Sequence, residues 1–180
     1  MSGTGVISQA RAGIRERATR WALLPLRIFL GVTFTYAAID KFTTPGFFAG
    51  DGPNSIATTL HSIQGSAAIP AMITLALKNP SGFGYAIALG ELAVGLGTLV
   101  GLFTRIAAFG GALISLSLWL TVSWTTSPYY YGNDLAYLMA WLPLVIGGAP
   151  QLSIDRFISR SRSRRRRVAQ HASPEAQPTD

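Results

Sequence analysis

Apolar positions along this chain gather into long unbroken runs, not into alternating or one-faced patterns. Trp21 to Ile39 carries one charge, Arg27; Gly84 to Phe103 carries one, Glu91; Ile106 to Ser123 carries none. Leu135 to Gly148 is also uncharged, and it reaches spanning length if residues 131–134 begin the helix. A bilayer core takes about 20 apolar residues per helix. The pattern predicts an all-α, polytopic membrane protein with four spans, at about 21–42, 84–103, 106–123 and 131–148. Buried helices of a soluble bundle would keep a polar face at 3.6-residue spacing, and these runs do not.

The connections differ in character. Residues 43–83 form an external segment too long for a simple link, so it is expected to have structure of its own. Within it, Pro53-Asn54-Ser55 predicts the start of a short helix running through Thr59, Leu60 and Ile63. Ser66 to Leu77 is apolar but only twelve residues long, which suits a helix lying on the membrane or dipping into it. Asn79-Pro80-Ser81-Gly82 reads as a turn. Leu102 to Ile106 joins spans two and three tightly and makes them antiparallel. Trp124, Tyr129, Tyr130 and Tyr131 fit the aromatic belt at a membrane interface. The organisation is a basic lead-in (1–20), a four-helix transmembrane domain (21–157) and a basic, disordered tail (158–180).

Composition agrees. Charged residues are 13% of the chain and hydrophobic ones 49%, against about 25% charged in an average soluble domain. The net charge of +7 is concentrated: Arg11, Arg15, Arg17 and Arg20 precede span one, Arg105 lies between spans two and three, and Ser161 to Arg167 follow span four. The positive-inside rule then places both termini and the Arg105 turn in the cytoplasm of a plasma-membrane protein. A juxtamembrane arginine run favours anionic lipid headgroups over nucleic acid as its partner. The chain has no cysteine and two histidines, His61 and His171, so disulfide, thiolate, haem and multi-histidine metal chemistry are not expected within it. No phosphate-binding or dinucleotide fingerprint is present, so neither metal nor nucleotide is predicted.

The candidate chemistry is the set of polar groups at membrane depth. With a rise of 1.5 Å per residue, Glu91 lies roughly 10 Å below the outer surface and Tyr36 lies level with it, about 22 Å up from the inner face. Charges at such depth default to a function; the competing reading is a protonated Glu91 pinned to a neighbour's backbone or to Tyr36. Arg27, about 9 Å from the inner face, is expected to snorkel. Asp40, Lys41, Asn133 and Asp134 collect at the outer ends of spans one and four. Ala93, Gly97 and Gly101, with Gly90 beside them, form a small-residue stripe for helix packing. His61 is either a solvated loop histidine or an external proton donor.

Three stretches together resemble the DoxD/DoxX family of four-helix membrane proteins: "LRIFLGVTFTYAAIDKF", "GELAVGLGTLVGLFTRIAAFGG" and "LSIDRF". The external "GFFAGDGPNS" and "LKNPSGFGYAIALGELAVG" are similar to the DoxD type, the large subunit of thiosulfate:quinone oxidoreductase. The resemblance covers about Leu26 to Phe157. It implies a four-helix bundle and, for the DoxD type, oxidation of thiosulfate to tetrathionate with electrons passed to membrane quinone. Arg27, Lys41, Glu91 and Arg105 match the family's recurrent charged positions, with Ala38-Ile39-Asp40-Lys41 where a Gly-x-x-Lys step is usual.

These readings combine into one expectation. Lys41, with Asp134, Arg27 and His61, binds substrate; Lys78 assists by charge. Glu91, Tyr36 and Lys41 are the catalytic set, handing protons to a quinone acceptor. Electrons arrive through a second small membrane subunit or a soluble redox partner. A membrane scaffold for a soluble redox or oxidative-stress enzyme is the alternative, and a small-solute transporter the third.

Overall fold

The computed structural model describes residues 21–148, and these are all-α, with six α-helices and no strand. They are α1 (Leu24–Thr43), α2 (Ile56–Ile63), α3 (Pro70–Ala76), α4 (Pro80–Val100), α5 (Thr104–Thr121) and α6 (Asn133–Gly147), with a 3-10 turn at Tyr129–Tyr131. The basic lead-in of residues 1–20 and everything from 149 onward, including the "LSIDRF" stretch, His171 and the arginine run, lie outside the described residues.

Of the four expected spans, α4 and α5 are long and apolar enough to cross a bilayer. At 20 residues α1 is long enough, but it carries Arg27, Asp40 and Lys41. α6 has 15 residues, about 22 Å of rise, which is short of the bilayer's hydrocarbon core of about 30 Å. Yet all four long helices turn apolar side chains outward: Phe29 and Val32, Leu89 and Leu96, Ile106 and Phe109, Met139 and Ile146. Polar groups lie inside beside apolar ones, among them Arg27, Glu91, Thr98 and Ser115. Soluble monomers rarely expose contiguous apolar patches larger than a few hundred Å², so this apolar exterior fits lipid as the surrounding medium.

α4 starts earlier than the Asn79–Gly82 turn suggests. The Asn79 side chain accepts from Gly82 N at 3.0 Å and Pro80 takes the first helical position, a cap that begins a helix where a turn was expected. The helix ends at Gly101, whose φ of 69° lets Leu102 N donate to Gly97 O at 2.9 Å. α5 follows after Gly101–Phe103 and must run antiparallel to α4.

α1 packs along α4, and α5 along α6. The first pair closes through two glycines. The position of a β-carbon on Gly95 would be 3.0 Å from Gly31 O and 2.6 Å from Thr35 N, so the two backbones nearly touch. The expected stripe is therefore displaced: Ala93 is exposed, Gly90 and Gly97 look toward α5, and Gly31 and Gly95 make the close α1–α4 approach. In the second pair Gly111 receives the Trp141 ring. Phe34 then joins α1 to α6, edge-on to Trp141 at 5.0 Å and to Tyr137 at 5.9 Å. One core of Leu30, Phe34, Val94, Ala108, Ala112, Trp141 and Leu144 results.

The segment between α1 and α4 forms a roof over the end of α1, α4 and α5 where α2 and α3 lie. α2 begins where Pro53-Asn54-Ser55 predicts. Ser55 is fully buried, accepts from Thr58 N and donates to Thr58 Oγ1, each at 3.1 Å. Leu60 of α2 packs on Ile73 and Ala76 of α3. Phe48 stacks on Tyr85 of α4 with centroids 3.9 Å apart, and Ala68 N donates to Leu120 O of α5 at 2.8 Å. Ser55→Ala removes the cap of a two-turn helix, at a cost of about 1–2 kcal/mol. Hydrogen exchange is expected to speed up across residues 56–63 and not in α5.

Candidate functional site

Lys41 Nζ lies 2.7 Å from Glu91 Oε2. The pair joins α1 to α4, although the two Cα atoms are not level. Taking Gly31 and Gly95 as level, Lys41 stands ten residues above and Glu91 four, so roughly 9 Å separates them along the axis. Side chains on a helix lean toward its N-terminus. The N-terminus of α1 is at the opposite end from that of α4, so Lys41 leans down and Glu91 leans up, and they meet. Glu91 stands eleven residues into α4, about 16 Å of rise from the start of the helix and near its middle.

The structure corrects two expectations about polar groups of α1. Tyr36 is 68% exposed; it sits two positions from the inward-facing Phe34, on the opposite side of α1, and does not reach Glu91. Arg27 does not snorkel: it is 5% exposed, packed inside the helices about 21 Å of helical rise below Lys41. His61 and Lys78 are exposed on the roof, and neither lines the cavity described next.

Asp134 lies within electrostatic reach of Glu91, and Ser123 Oγ donates a hydrogen bond to its Oδ2. Ser123 precedes the aromatic link and was not a candidate on sequence grounds, since a serine in a turn carries no signal of its own. Asp40 and Asn133 are exposed.

Beside the ion pair lies a cavity of about 220 Å³ between the roof and α4 and α5. Its walls include Ile56 and Leu60 of α2, Met72 and Ile73 of α3, Phe83 and Ile87 of α4, and Leu118 of α5. Lys41 is the single charged residue in the wall. The wall hydroxyls are committed to their own helices: Thr59 donates to Ser55 O at 3.2 Å, Ser117 to Ile114 O at 2.7 Å and Thr121 to Ser117 O at 2.6 Å. An ammonium has three donors. Those of Lys41 serve Glu91 and Ala37 O, the latter at 3.3 Å, which leaves one for an occupant of the cavity. An engineered apolar cavity of about 150 Å³ takes benzene, so this one has room for a substituted ring.

No curated protein and no solved structure matches this chain. The DoxX family matches residues 22–124, a stretch that contains both Lys41 and Glu91 and stops short of α6 with Asp134. The match spans more than half of the chain, its apolar helices fit a bilayer, and the protein belongs to the DoxX family of membrane proteins.

Proposed function

We propose that this chain is a membrane redox subunit that holds the headgroup of a quinone in the Lys41 cavity. In this reading α1, α4, α5 and α6 cross the plasma membrane as a four-helix bundle with both termini in the cytoplasm. The observation that carries it is a ring-sized apolar cavity whose one uncommitted donor belongs to Lys41. Such a site suits a neutral ring bearing a hydrogen-bond acceptor.

A bound quinone supplies an acceptor for two electrons and two protons. Lys41 would donate to its carbonyl oxygen, fixing the ring against Phe83 and Ile87. Glu91, through Lys41, and Asp134 behind it would hold and move protons toward that oxygen. Electrons would come from a reduced sulfur compound such as thiosulfate, or from a redox partner in the membrane or in solution. Thiosulfate itself is a poor occupant of this cavity, because a dianion would meet apolar walls and a lysine already neutralised by Glu91.

The test is titration of a short-tailed quinone analogue into the protein in lipid nanodiscs, read by tryptophan quenching. The variant Lys41→Met/Glu91→Leu removes the donor without leaving a lone charge, and it is expected to bind at least about tenfold more weakly, the scale of one charged-donor hydrogen bond. Equal affinity in the two proteins would refute the site. No binding by the wild type would refute the quinone reading and favour a scaffold. Adding thiosulfate to the same nanodiscs separates the donor question, since quinone binding without thiosulfate-dependent reduction removes thiosulfate alone.

A further inference from the structure

α3 is apolar on both of its faces apart from the exposed Thr74, whose hydroxyl is committed to Pro70 O at 3.1 Å within the helix. Ile73 and Ala76 are buried against α2, while Ile69, Met72 and Leu75 are exposed, Leu75 by 67%. No charged residue occurs between Ser66 and Leu77. A seven-residue helix at a water-facing surface would be expected to carry polar groups on its outer side. Met72 is exposed and lines the cavity at once, as do Phe83 of α4, Val122 at the end of α5 and Thr59 of α2, whose hydroxyl is bonded to Ser55 O. Apart from Thr59, the rim residues where the cavity meets the outside are apolar. The hydrogen bond from Ala68 N to Leu120 O holds the start of α3 at the end of α5, a helix apolar enough to cross a bilayer. The rim is therefore continuous with the lipid-facing surface of α4 and α5.

We infer that α3 is embedded in the leaflet on the side of the external segment, with acyl chains against Ile69, Met72 and Leu75, and that the cavity opens sideways into lipid between Met72, Phe83 and Val122. A ligand then arrives dissolved in the bilayer, tail outward, and not from water. A charged solute is excluded at the mouth before it reaches Lys41. The placement of α3 stands independently of what the cavity binds; only the identity of the ligand rests on the quinone reading.

The chain has no cysteine, so a single introduced one takes a unique spin label. Leu75→Cys and, as an aqueous control on the exposed turn, Asp51→Cys are labelled in nanodiscs. Each is relaxed in turn by oxygen, which concentrates in lipid, and by a water-soluble nickel chelate. Oxygen is expected to dominate at position 75 and nickel at position 51. Nickel dominance at position 75 would place α3 in water and overturn the inference. Low accessibility to both would show a protein covering the face and would overturn it equally. Oxygen dominance at position 75 in a protein that binds no quinone would sink the quinone reading and leave the placement of α3 standing.

Discussion

Lys41→Met is expected to lower the unfolding free energy in mixed micelles by about 3 kcal/mol, at the lower edge of the range for orphaning a buried ion. Glu91 is only 2% exposed and would lose its countercharge. The reverse change costs less. Lys41 keeps 22% of its side chain accessible and sits in the last turn of α1, so in Glu91→Leu the ammonium can swing toward water; about 1.5–2 kcal/mol is expected, the lower part of the range for a hydrogen bond to a charged group. The double variant is expected within about 1 kcal/mol of wild type, because a well-packed apolar replacement of a buried pair is often neutral. Detergent unfolding of the four proteins completes the cycle. Additive losses would mean that the pair contributes no coupling and that α1 and α4 are held by packing alone.

Gly95→Ala is the second large effect. Its new methyl would meet Thr35 N at 2.6 Å and Gly31 O at 3.0 Å, both backbone atoms of the facing helix. Neither can rotate away, so α1 must move. Overpacking of this kind costs about 1–3 kcal/mol, and the upper end is expected because backbone has to yield. Displacing α1 also carries Lys41 away from Glu91, so quinone affinity should fall with stability. Gly90→Ala is the control. Its nearest neighbour is Ile114 Cδ1 at 3.4 Å, ordinary contact, and alanine improves helix propensity by up to about 1 kcal/mol. Thermal unfolding in nanodiscs that ranks Gly95→Ala level with Gly90→Ala would contradict the close α1–α4 approach.

Much of this was legible beforehand. The long apolar runs announced α1, α4, α5 and α6 to within a few residues, and Ser55 announced α2. Glu91 stood out because a charge in such a run is costly. Its partner was harder to read. Matching Cα depth alone pairs Glu91 with Tyr36, and the direction in which helical side chains lean pairs it with Lys41. The face of α1 was also readable, since Leu30, Phe34, Ala38 and Lys41 recur at helical spacing and Tyr36 does not. The cavity was not readable. It is bounded by segments far apart in the chain, and none of Phe47, Met72, Phe83 or Leu118 differs from any other apolar residue until the roof closes over them. The Ser123–Asp134 bond has the same origin, a contact across a turn whose path the residues do not specify.

The ion pair also sets an order of events during synthesis. Glu91 follows Lys41 by 50 residues. At about 5–20 residues per second, α1 waits roughly 3–10 s with its lysine unmatched before α4 leaves the ribosome. On the proposed four-span reading, α1 is a marginal tenant of the membrane over that interval, and the arrival of Glu91 and Gly95 commits it. A ribosome-bound chain stalled before residue 91 should then leave α1 extractable, and one long enough for α4 to have left the ribosome should not.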